Sequence, residues 1–128
     1  MPIDPHTVST AALAYLGDAV LEVLTRRRLV SAGISTSKSL NQHAASYVTA
    51  PSQAAAMERL LPLLTEEETA VFRRGRNMGH TATPRHATVA EYRNATGMEA
   101  LFGYLSLTGQ AKRAFELFAA AFPADRKE

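Results

Sequence analysis

Ser9 or Thr10 at one end and Gly33 at the other bracket a proline-free stretch in which Leu13, Leu16, Val20 and Leu24 recur at three- and four-residue spacing. That pattern predicts one long helix running to about Ala32, with those four residues as its core face. A helix of this length is stable in water only when other elements cover its apolar stripe. The rest of the chain supplies more helices. A second, over about Thr36 to Thr49, stops before Pro51, which suits the first turn of a third helix running to about Leu61 and limited by Pro62. Thr65-Glu66-Glu67-Glu68 has the form of a capping box and opens a fourth helix through Val71 and Phe72. Thr88 can cap a fifth, which continues or kinks near Gly97 into Met98–Leu107. Gly109 then separates a last helix, about Gln110 to Phe122. No β-branched run alternates as a strand would. The prediction is a single all-α domain of six or seven helices over residues 1–128, a length that matches one hydrophobic core.

Composition narrows the function classes. The chain has no cysteine, so neither a disulfide framework nor a thiolate zinc site is possible. The N-terminus lacks the basic patch and apolar run of a signal peptide, and no apolar run is long enough to span a bilayer. A cytoplasmic protein without membrane contact is expected.

The net charge of +2 conceals an uneven distribution. Eleven of the 14 cations are arginine, whose planar fork suits bidentate phosphate contacts. Five of them lie between Arg73 and Arg93 with one acid, Glu91, for a local charge of +4. Such a run is often no more than a solvated face. Here Arg73-Arg74-Gly75-Arg76-Asn77 ends a helix and leads into a glycine- and threonine-rich segment with Arg85, which suits a polyanion but does not separate DNA from RNA. His43, His80 and His86 do not share a metal-ligand spacing on one helix face.

The acids of two apolar helices are the other anomaly. At 100° per residue, Asp18 and Glu22 share a second face of the first helix, together with Ala11 and Ala14, and something must pack there. Gly17 precedes Asp18, and Gly103 lies one turn after Glu99 on its face. Glycines in helix interiors cost about 1 kcal/mol, which close approach by a neighbouring helix can offset. If the two helices cross there, Asp18 and Glu99 meet. Paired carboxylates in a partly buried site need a proton or a divalent cation, and magnesium prefers oxygen ligands. Alternatively, either acid caps a helix or pairs with an arginine such as Arg26 or Arg93.

Tyr15-Leu16-Gly17-Asp18-Ala19-Val20-Leu21-Glu22 resembles the signature helix of the ribonuclease III catalytic domain, and Gly97-Met98-Glu99-Ala100-Leu101-Phe102-Gly103-Tyr104-Leu105 resembles its second acidic motif. Ser52-Gln53-Ala54, Thr65-Glu66-Glu67-Glu68, Arg73-Arg74-Gly75-Arg76-Asn77, Thr83-Pro84-Arg85 and Tyr92-Arg93 bring the chain nearest to the mini-ribonuclease III branch, which has the catalytic domain alone. The resemblance spans about residues 11 to 108 and implies the helical endonuclease fold without a double-stranded-RNA-binding domain. It further implies a homodimer that cleaves double-stranded RNA with Mg2+, in maturation of large-subunit ribosomal RNA precursor. By motif, Asp18 and Glu99 become the catalytic, metal-binding pair, and Arg73, Arg74, Arg76, Asn77 and Arg85 the RNA-binding residues. The second face of the first helix becomes part of the dimer interface. Ala11, Ala14 and Thr96 stand where full-length ribonuclease III carries further acids, which implies weak magnesium binding without RNA. The competing expectation is a noncatalytic RNA-binding or ribosome-assembly module that keeps the fold.

Overall fold

A computed structural model describes residues 3–78 and 86–123. Among them are six α-helices; the caps read at Ser9, Thr65 and Thr88 are present, and Thr36 and Thr49 are caps as well. Helix α1 (Thr10–Ser31) starts where the Ser9 hydroxyl accepts from the Ala12 amide at 3.0 Å, and stops before Gly33, whose φ of 90° is left-handed. Thr36 caps α2 (Ser37–Val48), and Thr49 caps α3 (Ala50–Leu60), with Pro51 in its first turn. A single 3-10 turn, Leu61–Leu63, follows at Pro62. Helix α4 (Glu66–Arg76) opens with both bonds of the Thr65–Glu68 capping box. A second such box, Thr88 with Glu91, opens α5 (Val89–Leu107), and α6 is Ala111–Ala121.

Helix α5 is the hub, buried over Ala95–Met98 and Ala100–Leu105, with α1, α3 and α4 packed around it. It does not break at Gly97. That glycine instead gives room to α4, since a Cβ there would lie 2.6 Å from the Phe72 ring. Across the contact, a Cβ on Gly75 would lie 2.7 Å from the Gly97 Cα. The two glycines let the α4 and α5 backbones touch.

Helix α1 is turned relative to its expected core face. Its buried residues are Leu13, Ala14, Gly17, Leu21, Thr25 and Leu29, while Leu16, Val20 and Leu24 are half-buried. At 100° per residue this stripe is rotated by about 90° from the leucine–valine row. The physical reason is the close approach to α5 at Gly17, which centres burial on the small residues. Ala14 therefore packs inside the chain's own core, and the neighbour expected on the Asp18 side is in part α5.

Long-range polar contacts tie the helices together. Arg113 of α6 donates to both oxygens of the buried Glu68 at 2.8 and 2.9 Å and to the Leu63 carbonyl. Arg28 of α1 and Arg59 of α3 donate to the last carbonyls of α6, those of Phe122 and Ala121. Among the described residues no helix is long and apolar enough to cross a membrane.

Candidate active site

The site begins with two glycines facing each other across α1 and α5. A Cβ on Gly17 would overlap the carbonyl oxygen of Glu99 and come within 2.8 Å of the Gly103 nitrogen. A Cβ on Gly103 would overlap the carbonyl of Leu13 and sit 3.0 Å from the Gly17 nitrogen. Only glycine at both positions allows this backbone contact. One residue after Gly17, Asp18 falls at the edge of the buried stripe, so its carboxylate leaves the interface toward solvent beside α5. Glu99, one turn before Gly103, projects from the facing helix and is half-buried. The two carboxyl groups are close enough for the Asp18 charge to act on Glu99.

The electrostatics of the pair follow from this placement. Burial pushes the Glu99 carboxyl up to about 7, and the Asp18 charge and hydrogen bond push it the same way. Among the described residues no arginine, lysine or histidine forms an ion pair with either acid; Arg26 is engaged by Glu22 at 2.9 Å. Thus no ion pair among the described residues offsets the negative charge of the two acids. Two oxygen donors so placed fit a divalent cation such as magnesium. No third His, Asp or Glu joins them in a metal-holding group among the described residues. Ala11 is exposed and has no donor to offer. Thr96 is buried, and its hydroxyl donates to the Tyr92 carbonyl at 3.1 Å.

The arginines expected to meet phosphate lie in the last turn of α4 rather than in a loop, with Asn77 as the C-cap. Cations suit that end of the helix dipole. Their surroundings differ. Arg73 is exposed. Arg76 lies 5.7 Å from the Phe72 ring centre, and its Nε donates to the Asn77 side chain at 3.2 Å. Arg74 donates from Nη2 to the carbonyl of Val8, just before α1, at 2.9 Å. Arg85 and His80 lie outside the described residues. His43 is exposed and bonds to the Ser39 carbonyl within its own helix. Tyr15 and Phe115, which are 85% and 63% exposed, have no motif or charge pattern around them that marks an exposed ring. The signal for Tyr15 was a large ring on the side of α1 away from its core stripe.

The family model described as the Ribonuclease III domain matches residues 11–110. The match takes in the whole of α1 through α5 except the first residue of α1, and with it the glycine crossing and both acids. This chain belongs to the mini-ribonuclease III branch of the ribonuclease III family. A protein of Symbiobacterium thermophilum named Mini-ribonuclease 3 is 48% identical over 92% of this chain and 91% of its own length. The Mini-ribonuclease 3 of Enterococcus faecalis is 45% identical over 89% and 88%. The crystal structure of protein FN1578 from Fusobacterium nucleatum superimposes with a TM-score of 0.79 at 29% identity, over 87% of this chain and 88% of that one. The activity of the family is endoribonucleolytic, so the ribonuclease III chain described here is an enzyme that hydrolyses phosphodiester bonds within RNA.

Proposed function

We propose that the protein is a magnesium-dependent endoribonuclease of double-stranded RNA, acting as a cytoplasmic homodimer in maturation of large-subunit ribosomal RNA precursor. The observation that carries this reading is the crossing of α1 and α5, which brings the Asp18 and Glu99 carboxyl groups together with no ion-pair partner among the described residues. These two residues would hold Mg2+, and when bound it supplies a Lewis acid and an activated water for phosphodiester hydrolysis. Asp18 contributes a carboxylate at the solvent edge, where a phosphate can approach. Glu99 contributes a carboxylate only after losing its proton, and its half-buried setting fixes its direction. Two protein carboxylates leave most of the coordination shell to water and RNA phosphate, so the ion binds weakly until RNA is present.

The C-terminal end of α4 supplies RNA affinity. Arg73, Arg76 and Asn77 present donors there, Arg74 adds those left free by its bond to Val8, and Arg85 follows in sequence. A second copy of the chain covers the apolar part of the solvent face of α1. Tyr15, Val23 and Val30 are exposed on that face, beside a groove of about 1040 Å³ between α1 and α6, whose lining includes Val20, Val23, Leu24, Phe115 and Phe118. A dimer gives each strand of a duplex its own catalytic pair.

The test is cleavage of structured ribosomal RNA precursor with mapping of the ends. Asp18→Asn and Glu99→Gln should each abolish cleavage in magnesium while leaving RNA binding largely intact. Full activity in both variants would remove the assignment, and binding without cleavage by the wild type on every duplex, even with manganese, would favour the noncatalytic module. Tyr15→Arg should yield a monomer in sedimentation with little cleavage.

A further inference from the structure

Three neighbouring arginines at the end of α4 are placed for different tasks. Arg73 reaches solvent, and Arg76 is engaged with Phe72 and Asn77 on its own helix. Arg74 crosses to another part of the chain. Its Nη2 donates to the Val8 carbonyl at 2.9 Å, and the Val8 side chain packs against the core. Val8 immediately precedes Ser9, the N-cap of α1.

The position of this bond within the helix layout gives it consequence. Helix α4 meets α5 at Gly75 and Gly97, and α1 meets α5 at Gly17 and Gly103. Glu99 lies on α5 between the two crossings. The α1–α5 crossing is a backbone contact with no side chain between the helices, whereas at the α4–α5 crossing the Phe72 ring seats against Gly97. The Arg74 bond joins α4 to the entry of α1 and so closes the third side of an α1–α4–α5 triangle. It also defines one end of the first two turns of α1, whose other end is pinned where the Leu13 carbonyl and Gly17 meet Gly103. Asp18 follows directly on that pinned point.

We propose that Arg74 is a positioning residue for the Asp18–Glu99 site: by holding the Val8 carbonyl it fixes the entry of α1 against α4, and thereby the seat of α1 on α5 beside Glu99. This rests on the proposed metal site, and it assigns Arg74 a role that exists before any RNA arrives. With the anchor lost, the first turn of α1 frays more often, Leu13 leaves its seat against Gly103 more often, and Asp18 is less well preset toward Glu99. The ion then binds a site populated for less of the time, which lowers its apparent affinity.

The experiment uses the full chain without RNA, so a phosphate contact by Arg74 has no influence. Hydrogen exchange is measured at the backbone amides of Leu13, Ala14 and Tyr15, which bond within the first turns of α1. Binding of Mn2+ alone is followed by electron paramagnetic resonance. Wild type, Arg74→Ala and Arg73→Ala are compared. In Arg74→Ala, exchange at these amides should quicken by about tenfold and Mn2+ affinity should fall several-fold. Arg73→Ala should match wild type in both readings. If Arg74→Ala also matches wild type in both, or loses Mn2+ affinity without faster exchange, the positioning role is wrong. Should Arg74→Ala not fold, the same two readings on Arg74→Lys, which keeps the charge and loses the fork, decide the matter. A failure of the metal site itself looks different: wild type and variants alike then bind no Mn2+.

Discussion

Replacing Glu99 with glutamine should make the metal-free protein more stable at pH 8, even though it should destroy the enzyme. The folded chain raises the Glu99 carboxyl from 4.5 to about 7, chiefly by burial and then by the charge of Asp18. The folded state therefore holds this proton more tightly than the unfolded chain does. Stability is greatest below pH 4.5 on this account and falls as pH rises from 4.5 through 7, after which the full cost is present. Such a rise corresponds to about 3 kcal/mol, or about 2 once solvent at the exposed edge of Glu99 screens the interaction. A glutamine at 99 carries no charge and can donate its amide to the Asp18 carboxylate. In EDTA at pH 8, Glu99→Gln should unfold roughly 10 °C above wild type at equal protein concentration, and the gap should narrow to about a quarter of that at pH 5. Magnesium should narrow the gap at pH 8 by stabilising wild type alone. A variant less stable than wild type at pH 8, or a gap independent of pH, would refute the claim that Glu99 is strained by its surroundings.

Three further perturbations follow from the same geometry. At limiting magnesium, cleavage by wild type should rise with pH up to about 7, because a proton and the ion compete for Glu99, and it should flatten when magnesium is saturating; pH–rate profiles at two magnesium concentrations read this directly. Gly17→Ala and Gly103→Ala each place a methyl into the facing backbone, so each should cost at least about 2 kcal/mol in urea unfolding, against about 1 kcal/mol for Gly33→Ala, where strain is confined to a left-handed φ and the space is open. Glu68→Ala removes a carboxylate that is 4% exposed from Arg113 and from the Thr65 cap, and should destabilise by about 3–5 kcal/mol at pH 7. The Arg113 hydrogen bond holds Glu68 below the usual carboxylate value, so its stabilisation is present above pH 4.5 and lost as pH falls below it; urea midpoints at pH 7 and pH 4 for wild type and variant show the difference shrinking.

The local signals in the sequence were enough to place the elements. Thr65 with Glu68, Thr36, Pro51 and Gly33 mark helix ends because a cap or stop is a contact with residues a few positions away. The glycine–acid pairs at Gly17-Asp18 and Glu99–Gly103 also pointed to a helix crossing that the structure contains, since glycine inside an apolar helix has few other uses. What depended on a distant partner was hidden. In the leucine–valine row of α1 only Leu13 is fully buried; Leu16, Val20 and Leu24 are half-buried, because the close approach to α5 at Gly17 turns the helix away from them. Gly97 left open whether the helix continues or kinks; it continues, and the glycine is the seat of Phe72. Arg73, Arg74 and Arg76 were alike as letters, yet only the fold directs Arg74 to Val8 and Arg76 over Phe72. Arg113 gave no hint of Glu68, which lies 45 positions away.

The most direct test of the central claim is anomalous scattering from Mn2+ in crystals of the protein bound to cleaved duplex RNA. A manganese peak is expected between Asp18 and Glu99, about 2.2 Å from an oxygen of each carboxylate, with an RNA phosphate oxygen also in contact. Cleaved RNA in the crystal with no manganese at that position, or with manganese bound by other residues, would contradict the claim.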